Sequence, residues 1–225
     1  MRPVLTDQEL AAFRADVCRV AEVLFARHGV EGVTMRQIAA ELDCSSTTAY
    51  RYFRNKDEIL VAVRASAFNR FCQVIEDATH SSPDPRQAAR NVGQAYLDFA
   101  LQHPDAYRMM FDISQSEVTG HAELAEALAR ARRSMVAYVA PLIHEGILRG
   151  DTQALGQMLW AAAHGLVMLR LSGIVTDDSE LRQLHETTMS ALVRGAHQTM
   201  PGSRGTGALE LSNPTPVRKA TRKAP

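Results

Sequence analysis

Residues 34–56 read TMRQIAAELDCSSTTAYRYFRNK. Thr34 and Gln37 form the S/T-x-x-E/Q pattern in which two side chains cap a helix start reciprocally, so a short helix is expected through about Leu42. A second helix is expected over about 46–53, after a corner at Asp43. Asp is among the few non-glycine residues that tolerate the left-handed backbone such a corner takes. Ile38, Ala39, Leu42, Cys44 and Ala49 have the spacing to pack the two helices together, and Phe53 reads as core. Two short helices joined by a tight turn and preceded by a longer one make a helix-turn-helix.

The chemistry then lies in the hydroxyl run Ser45-Ser46-Thr47-Thr48, which falls at the tip of the second helix. In a DNA-reading helix that tip faces base edges. Small hydroxyls allow close approach, donate or accept with either base type, and offer a Thr methyl to a thymine methyl. Tyr50, Arg51, Tyr52 and Arg54 suit phosphates, which fix register without reading sequence. Lys56, at the next helix start, is a further backbone contact, and Arg36 lies on the same surface. Ser45 also reads as a plain N-cap whether or not it meets DNA. The charge is local: residues 34–56 hold four basic residues against two acidic ones, while the whole chain has 25 Lys+Arg against 25 Asp+Glu. A neutral total gives no global argument for nucleic acid.

Outward from this stretch almost every signal is helical. Thr6-x-x-Glu9 opens a helix with Leu10, Phe13, Val17, Val20, Leu24 and Phe25 on the 3.6-residue period, ended by Gly29. Asn55-x-x-Glu58 opens a long helix to about His80, with Ile59, Leu60, Val63, Phe68, Phe71 and Val74 inward. Asp84-Pro85 starts another, and His103-Pro104 marks a boundary. A single long helix is expected from beyond Gly120 to about Arg149. Asp151 starts the next, to about Ser172, and Asp177-x-x-Glu180 opens the last, to about His197. The fold class is therefore all-α, with a helix-turn-helix domain over 1–55 and a helical ligand-binding and dimerisation domain over 56–200. Residues 201–225 are rich in Pro, Gly, Ser and Thr and carry five basic residues against one acidic one; they read as a disordered basic tail.

Cys18, Cys44 and Cys72 are far apart and odd in number, which fits unpaired thiols in a reducing, cytoplasmic setting. No stretch approaches the ~20 apolar residues of a membrane span, and the N-terminus turns acidic where a signal peptide needs an apolar core. No Gly-rich phosphate loop, His-x-x-x-His pair or nucleophile motif is present, so no catalytic residue, metal or cofactor is expected.

The stretch AEVLFARHGVEGVTMRQIAAELDCSSTTAYRYFRNKDEILVAV closely resembles the DNA-binding domain of the TetR (tetracycline-repressor-type) regulators. The likeness runs through Phe-x-x-x-Gly, the threonine opening the second helix, Ile-Ala, and Tyr-x-Tyr-Phe leading to Lys and Leu. It implies a homodimer whose recognition helices enter successive major grooves of double-stranded, palindromic DNA. Thr34, Ser45, Ser46, Thr47, Thr48, Tyr50, Tyr52 and Lys56 stand at its contact positions. Asp43 stands where a glycine is common, and Ser46-Thr47 where Lys-Gly is frequent, so base preferences do not transfer. Further on, AYLDFALQHPDAYRMMF (95–111) with WAAAHGL (160–166) resembles the subgroup with a Trp-x-x-x-His-Gly signature, in which the last two long helices form the dimer's four-helix bundle.

The helices over about 85–172 hold an excess of aromatics and methionines. Tyr96, Phe99, Tyr107, Met110 and Phe111, with Met135, Tyr138, Trp160, His164 and Met168, suit an adaptable cavity for a small apolar or amphipathic effector, although each singly reads as core. Trp160 and His164 share a helix face, and Gly165 beside them allows close approach of another helix. The reading is a ligand-responsive transcriptional repressor that binds an inverted-repeat operator as a homodimer and is released by its effector, with no membrane partner. The helix from Lys56 to about His80 is its expected lever. The alternative is a helical small-molecule-binding protein without a specific operator.

Overall fold

The computed structural model describes residues 6–112 and 120–197; the expected basic tail lies outside them. Ten helices follow in order among the described residues: α1 Asp7–His28, α2 Met35–Glu41, α3 Ser46–Ala49, α4 Lys56–Thr79, α5 Pro85–Gln102, α6 Pro104–Phe111, α7 Ala122–Ala137, α8 Val139–His144, α9 Thr152–Leu171 and α10 Asp178–His197. Most starts are fixed by the expected side-chain caps. Thr6, Thr34, Ser45, Asn55, Asp84 and Asp151 each accept a hydrogen bond from a backbone N–H in the first turn, satisfying donors that a helix start leaves without a partner.

Three expectations are corrected. The helix expected over about 120–149 is two helices, broken at Tyr138, because Pro141 has no N–H to bond back to Ala137 and its ring crowds that carbonyl. The recognition helix is regular only over Ser46–Ala49 and continues as turns to Tyr52. Leu10 and Val74, expected inward, are 42% and 37% exposed; Ile75, one residue on, is the buried one.

Two buried clusters meet within α4. The first joins α1, α2 and α3 through Val17, Ala21, Ile38, Ala49 and Phe53, and takes Ile59, Leu60, Ala62 and Val63 from the start of α4. The second takes Val61 and the stretch from Ala65 onward, and packs Phe68, Phe71 and Ile75 among α5, α6, α7 and α9. The α4 helix thus belongs to both units, and bending it would disturb both cores. Phe71 meets Tyr96 and Phe99 edge-on, with ring centroids 5.4 and 5.3 Å apart, a geometry contributing about 0.5–1.5 kcal/mol per pair beyond burial. Across α4 and α7, Glu76 receives Arg130 at 2.5 Å and the Ser134 hydroxyl at 2.7 Å. These donors hold its carboxyl below the usual range. No helix of the described residues is long and apolar enough to cross a membrane.

Candidate nucleic-acid interface and ligand cavity

The helix-turn-helix is built by local bonds. The Thr34 backbone N–H and hydroxyl both donate to Gln37 Oε1 at 2.8 Å, and Thr34 Oγ1 accepts from Gln37 N at 3.3 Å. Asp43 takes the left-handed conformation, φ 49°, turning the chain so that Cys44 N reaches Ala39 O at 3.0 Å. Ile38, Ala39 and Ala49 are buried between the helices. At the tip, Ser45 Oγ accepts from Thr48 N at 3.1 Å and pairs with the Thr48 hydroxyl at 3.0 Å. Among the described residues no side chain holds the Ser46 or Thr47 hydroxyl, and Thr47 is exposed.

The expected phosphate contacts divide. Tyr50 is 54% exposed, and Arg36 and Arg51 are exposed beside it. Tyr52 is half-buried, its ring 4.2 Å from that of Phe13. Lys56 is tied down as well, donating to Val30 O at 2.7 Å with Glu31 at 3.6 Å, and Arg54 pairs with Glu58. One positioning residue had no signal in the sequence pattern. Arg14 of α1 donates to Tyr52 O at 2.9 Å, lies 4.3 Å over the Phe53 ring, and reaches Glu123 of α7 at 3.5 Å. It therefore clamps the end of the recognition turn to the C-terminal unit.

In that unit the expected pocket residues are largely packed together. Tyr96, Tyr107 and Met110 are almost wholly buried. The Tyr96 and Tyr107 hydroxyls lie 2.5 Å apart, and Tyr107 Oη lies 2.7 Å from His164 Nδ1. Burial raises both tyrosines' pKa values and lowers that of His164, so all three are neutral near pH 7. The chain runs either way with neutral groups: from Tyr96 through Tyr107 to a bare His164 Nδ1, or from a protonated Nδ1 through Tyr107 to Tyr96. Trp160 Nε1 is buried without a hydrogen bond, yet sits close enough to influence the Tyr96 hydroxyl. Phe111 packs on His164 at 4.4 Å and on Trp160 at 6.3 Å.

The open space lies beside this cluster: a cavity of about 530 Å³ between α5, α7, α9 and α10, within the range of small-molecule sites. Tyr96, Met135 and Tyr138 of the expected set line it. Phe99, Tyr107, Met110, Phe111, Trp160 and His164 do not, and Met168 is 40% exposed. Lining residues that the sequence reading missed include Arg86, Arg90, Arg182 and His185. His185 is held close by Gly93: a Cβ there would stand 2.6 Å from its Cε1. A mid-helix glycine is a signal of such close packing.

The α6 helix touches both units. Arg64 of α4, nearly buried, donates to Met109 O at 3.1 Å, Met109 packs on the N-terminal cluster, and Tyr107 two residues earlier joins the hydroxyl chain. Among the described residues no group of three His, Cys, Asp or Glu side chains is placed to hold a metal.

Residues 18–63 match the family model of bacterial regulatory proteins, tetR family, and residues 89–192 match that of the tetracyclin repressor-like C-terminal domain. The chain is 30% identical over 111 residues to the nucleoid occlusion factor SlmA of Pasteurella multocida, and 28% identical over 123 residues to the HTH-type transcriptional repressor SCO4008 of Streptomyces coelicolor. These alignments take in 48% and 53% of this chain, and span 50% and 60% of those two relatives. The crystal structure of a TetR-family transcriptional regulator (ECA1819) from Pectobacterium atrosepticum superposes with a TM-score of 0.66 at 20% identity, covering 85% of this chain and 97% of that one. At that identity the likeness speaks to the fold.

Proposed function

Because the chain belongs to the tetR family of bacterial regulatory proteins, a family of transcription regulators rather than enzymes, we propose that it is a ligand-responsive repressor. It binds an inverted-repeat operator as a homodimer. The observation that carries the DNA-binding part is the recognition tip. Among the described residues Ser46 and Thr47 have no side-chain partner, while Ser45 and Thr48 hold the turn that presents them, and Tyr50, Arg36 and Arg51 are exposed. Hydroxyls read base edges there and the flanking groups take phosphates. Thr34, Tyr52 and Lys56 act chiefly by fixing the backbone, through the bonds and packing just described.

A second copy is supported by one face of the last two long helices. On α9, Met158, Ala161, Gly165, Met168 and Leu169 lie on one side and are exposed, opposite the buried Leu159 and Ala163. On α10, Leu184, Ala191 and Gly195 do the same. A Cβ added at Gly165 or Gly195 meets nothing within 4 Å, so among the described residues no helix makes the close approach expected at Gly165. A partner copy fits there, as in the subgroup with the Trp-x-x-x-His-Gly signature.

The effector occupies the 530 Å³ cavity, and its effect reaches DNA by population shift. Tyr96 of the cavity wall is joined through Tyr107 to α6, and α6 through Met109 and Arg64 to the N-terminal core and α4. A coupling of about 1–3 kcal/mol lowers operator affinity 5–150-fold. Selection of sites from a random duplex library at physiological salt tests the proposal. An enriched palindrome with half-sites about one turn, roughly 34–36 Å, apart supports it. Sequence-blind, salt-sensitive binding alone would leave a helical small-molecule-binding protein.

A further inference from the structure

The cavity is apolar along most of its wall, with two guanidiniums at one end and a closed Arg182–Asp98 ion pair beside Leu97 at the other. On α5 the lining residues Arg86, Arg90, Gly93 and Leu97 fall at i, i+4, i+7 and i+11, one stripe running from two guanidiniums to apolar surface. Around Leu97 stand Met135, Leu142 and Leu159. The charges at the Arg86 end are not answered in kind. Arg182, which lines the Leu97 end, is matched by Asp98 at 2.5 Å. Among the described residues no acid pairs with Arg86 or Arg90: Arg90 donates to the neutral Gln87 Oε1 at 2.6 Å and 3.2 Å, and the Asp84 carboxylate is engaged by the Arg86 backbone N–H at 3.0 Å. Glu186 is the lining's one carboxylate and forms no ion pair with either arginine. His185 offers no counter-charge either, since an imidazole is neutral or positive.

Two guanidiniums one turn apart repel each other, and each presents a planar fork of donors that matches a carboxylate or phosphate. We propose that the ligand of this cavity is an anionic amphiphile, its carboxylate or phosphate head held between Arg86 and Arg90 and its apolar body lying along Leu97, Met135, Leu142 and Leu159. This rests on the reading of the cavity as the effector site and specifies the chemistry of the effector.

The test is calorimetric titration of the full chain with decanoate, decanol and decylammonium, the two ions below their critical micelle concentrations and decanol below its solubility limit. Decanoate is expected to bind at least tenfold more tightly than the other two. An Arg86→Gln/Arg90→Gln variant, both positions being exposed, is expected to bring decanoate within threefold of decanol and leave decanol binding unchanged. Glu186→Gln is expected to tighten decanoate two- to fivefold. Equal binding of decanol and decanoate overturns the inference while leaving an apolar effector in place. Decanoate binding indifferent to the double substitution, or no decanoate binding at millimolar concentration, overturns it too. Decanoate binding that needs both arginines yet leaves operator affinity unchanged keeps the ligand class and removes the effector reading, so the two failures are distinct.

Discussion

Replacing Tyr107 by Phe removes the middle hydroxyl of the chain that joins the cavity wall to α6. Two neutral hydrogen bonds disappear, Tyr96 to Tyr107 at 2.5 Å and Tyr107 to His164 at 2.7 Å, each with a net value of about 0.5–1.5 kcal/mol. The Tyr96 hydroxyl is then stranded in a side chain 1% exposed, at a cost of about 1–3 kcal/mol. Its neighbour Trp160 Nε1, a donor without a hydrogen bond, offsets part of this, and water reaches half-buried His164. The sum is a destabilisation of roughly 2–3 kcal/mol. Tyr96→Phe removes only the end of the chain and leaves Tyr107 bonded to His164, so about 1 kcal/mol is expected. The double variant separates this account from simple loss of polarity. Once the Tyr107 hydroxyl is gone, removing Tyr96's takes away the stranded group, so Tyr96→Phe/Tyr107→Phe should be more stable than Tyr107→Phe alone. Urea unfolding followed by circular dichroism, at fixed protein concentration because assembly shifts apparent stability, reads all three midpoints. If the two single effects simply add in the double variant, the hydroxyls are not coupled and the chain cannot transmit between the cavity and α6.

Stability should also depend on mild acid. The His164 and His185 pKa values are lowered from 6.5 in the fold, both chiefly by burial. Below about 6.5 the unfolded chain therefore binds more protons than the folded one. The stabilisation is complete above that pH and lost as pH falls through it, so the urea midpoint should drop from pH 7.5 to 5.5, and His164→Gln/His185→Gln should flatten the slope. Asp43→Gly relieves a φ of 49° at an exposed corner. A gain of roughly 0.5–1 kcal/mol is expected, because glycine enters the left-handed region without Cβ strain; a loss measured by the same assay would mean that the Asp43 side chain supports the turn. Gly165→Glu puts a charge on the open face of α9 while raising helix propensity by about 0.5–1 kcal/mol. Sedimentation should show a folded monomer with weakened operator binding, and a retained dimer would place the interface elsewhere.

The elements that were legible in the sequence are those encoded within one turn. Thr34 with Gln37, Ser45 with Thr48 and Asn55 with Glu58 are caps whose two partners lie three residues apart, so their pattern survives any tertiary context. The Asp43 corner is equally local. Pro141 carried the break at Tyr138 in the same local way, although the longer apolar period ran across it. The cavity was not legible, because whether a ring packs or lines a space is decided by helices far apart in sequence. Tyr107 and Phe111 look like pocket walls, yet Trp160 and His164 of α9, far along the chain, fill the space against them. Likewise Arg86 and Arg182 gave no periodic signal, since they share a cavity only when α5 lies against α10. Arg14 shows the same limit at the DNA-reading end: its role follows from Tyr52 and Glu123, neither near it in the chain.

The central claim is that the Ser46-Thr47 tip reads sequence. The most direct measurement is the ratio of dissociation constants for the selected palindrome and a scrambled duplex of the same composition, at one salt concentration, for the native chain and for Ser46→Ala/Thr47→Ala. Alanine keeps the helix and removes only the two hydroxyls and the Thr methyl. With two half-sites per duplex and about 1 kcal/mol lost at each, a roughly tenfold or greater fall in the ratio is expected, with the affinity for scrambled DNA unchanged. A ratio that stays the same, or a parallel loss on both duplexes, would contradict it.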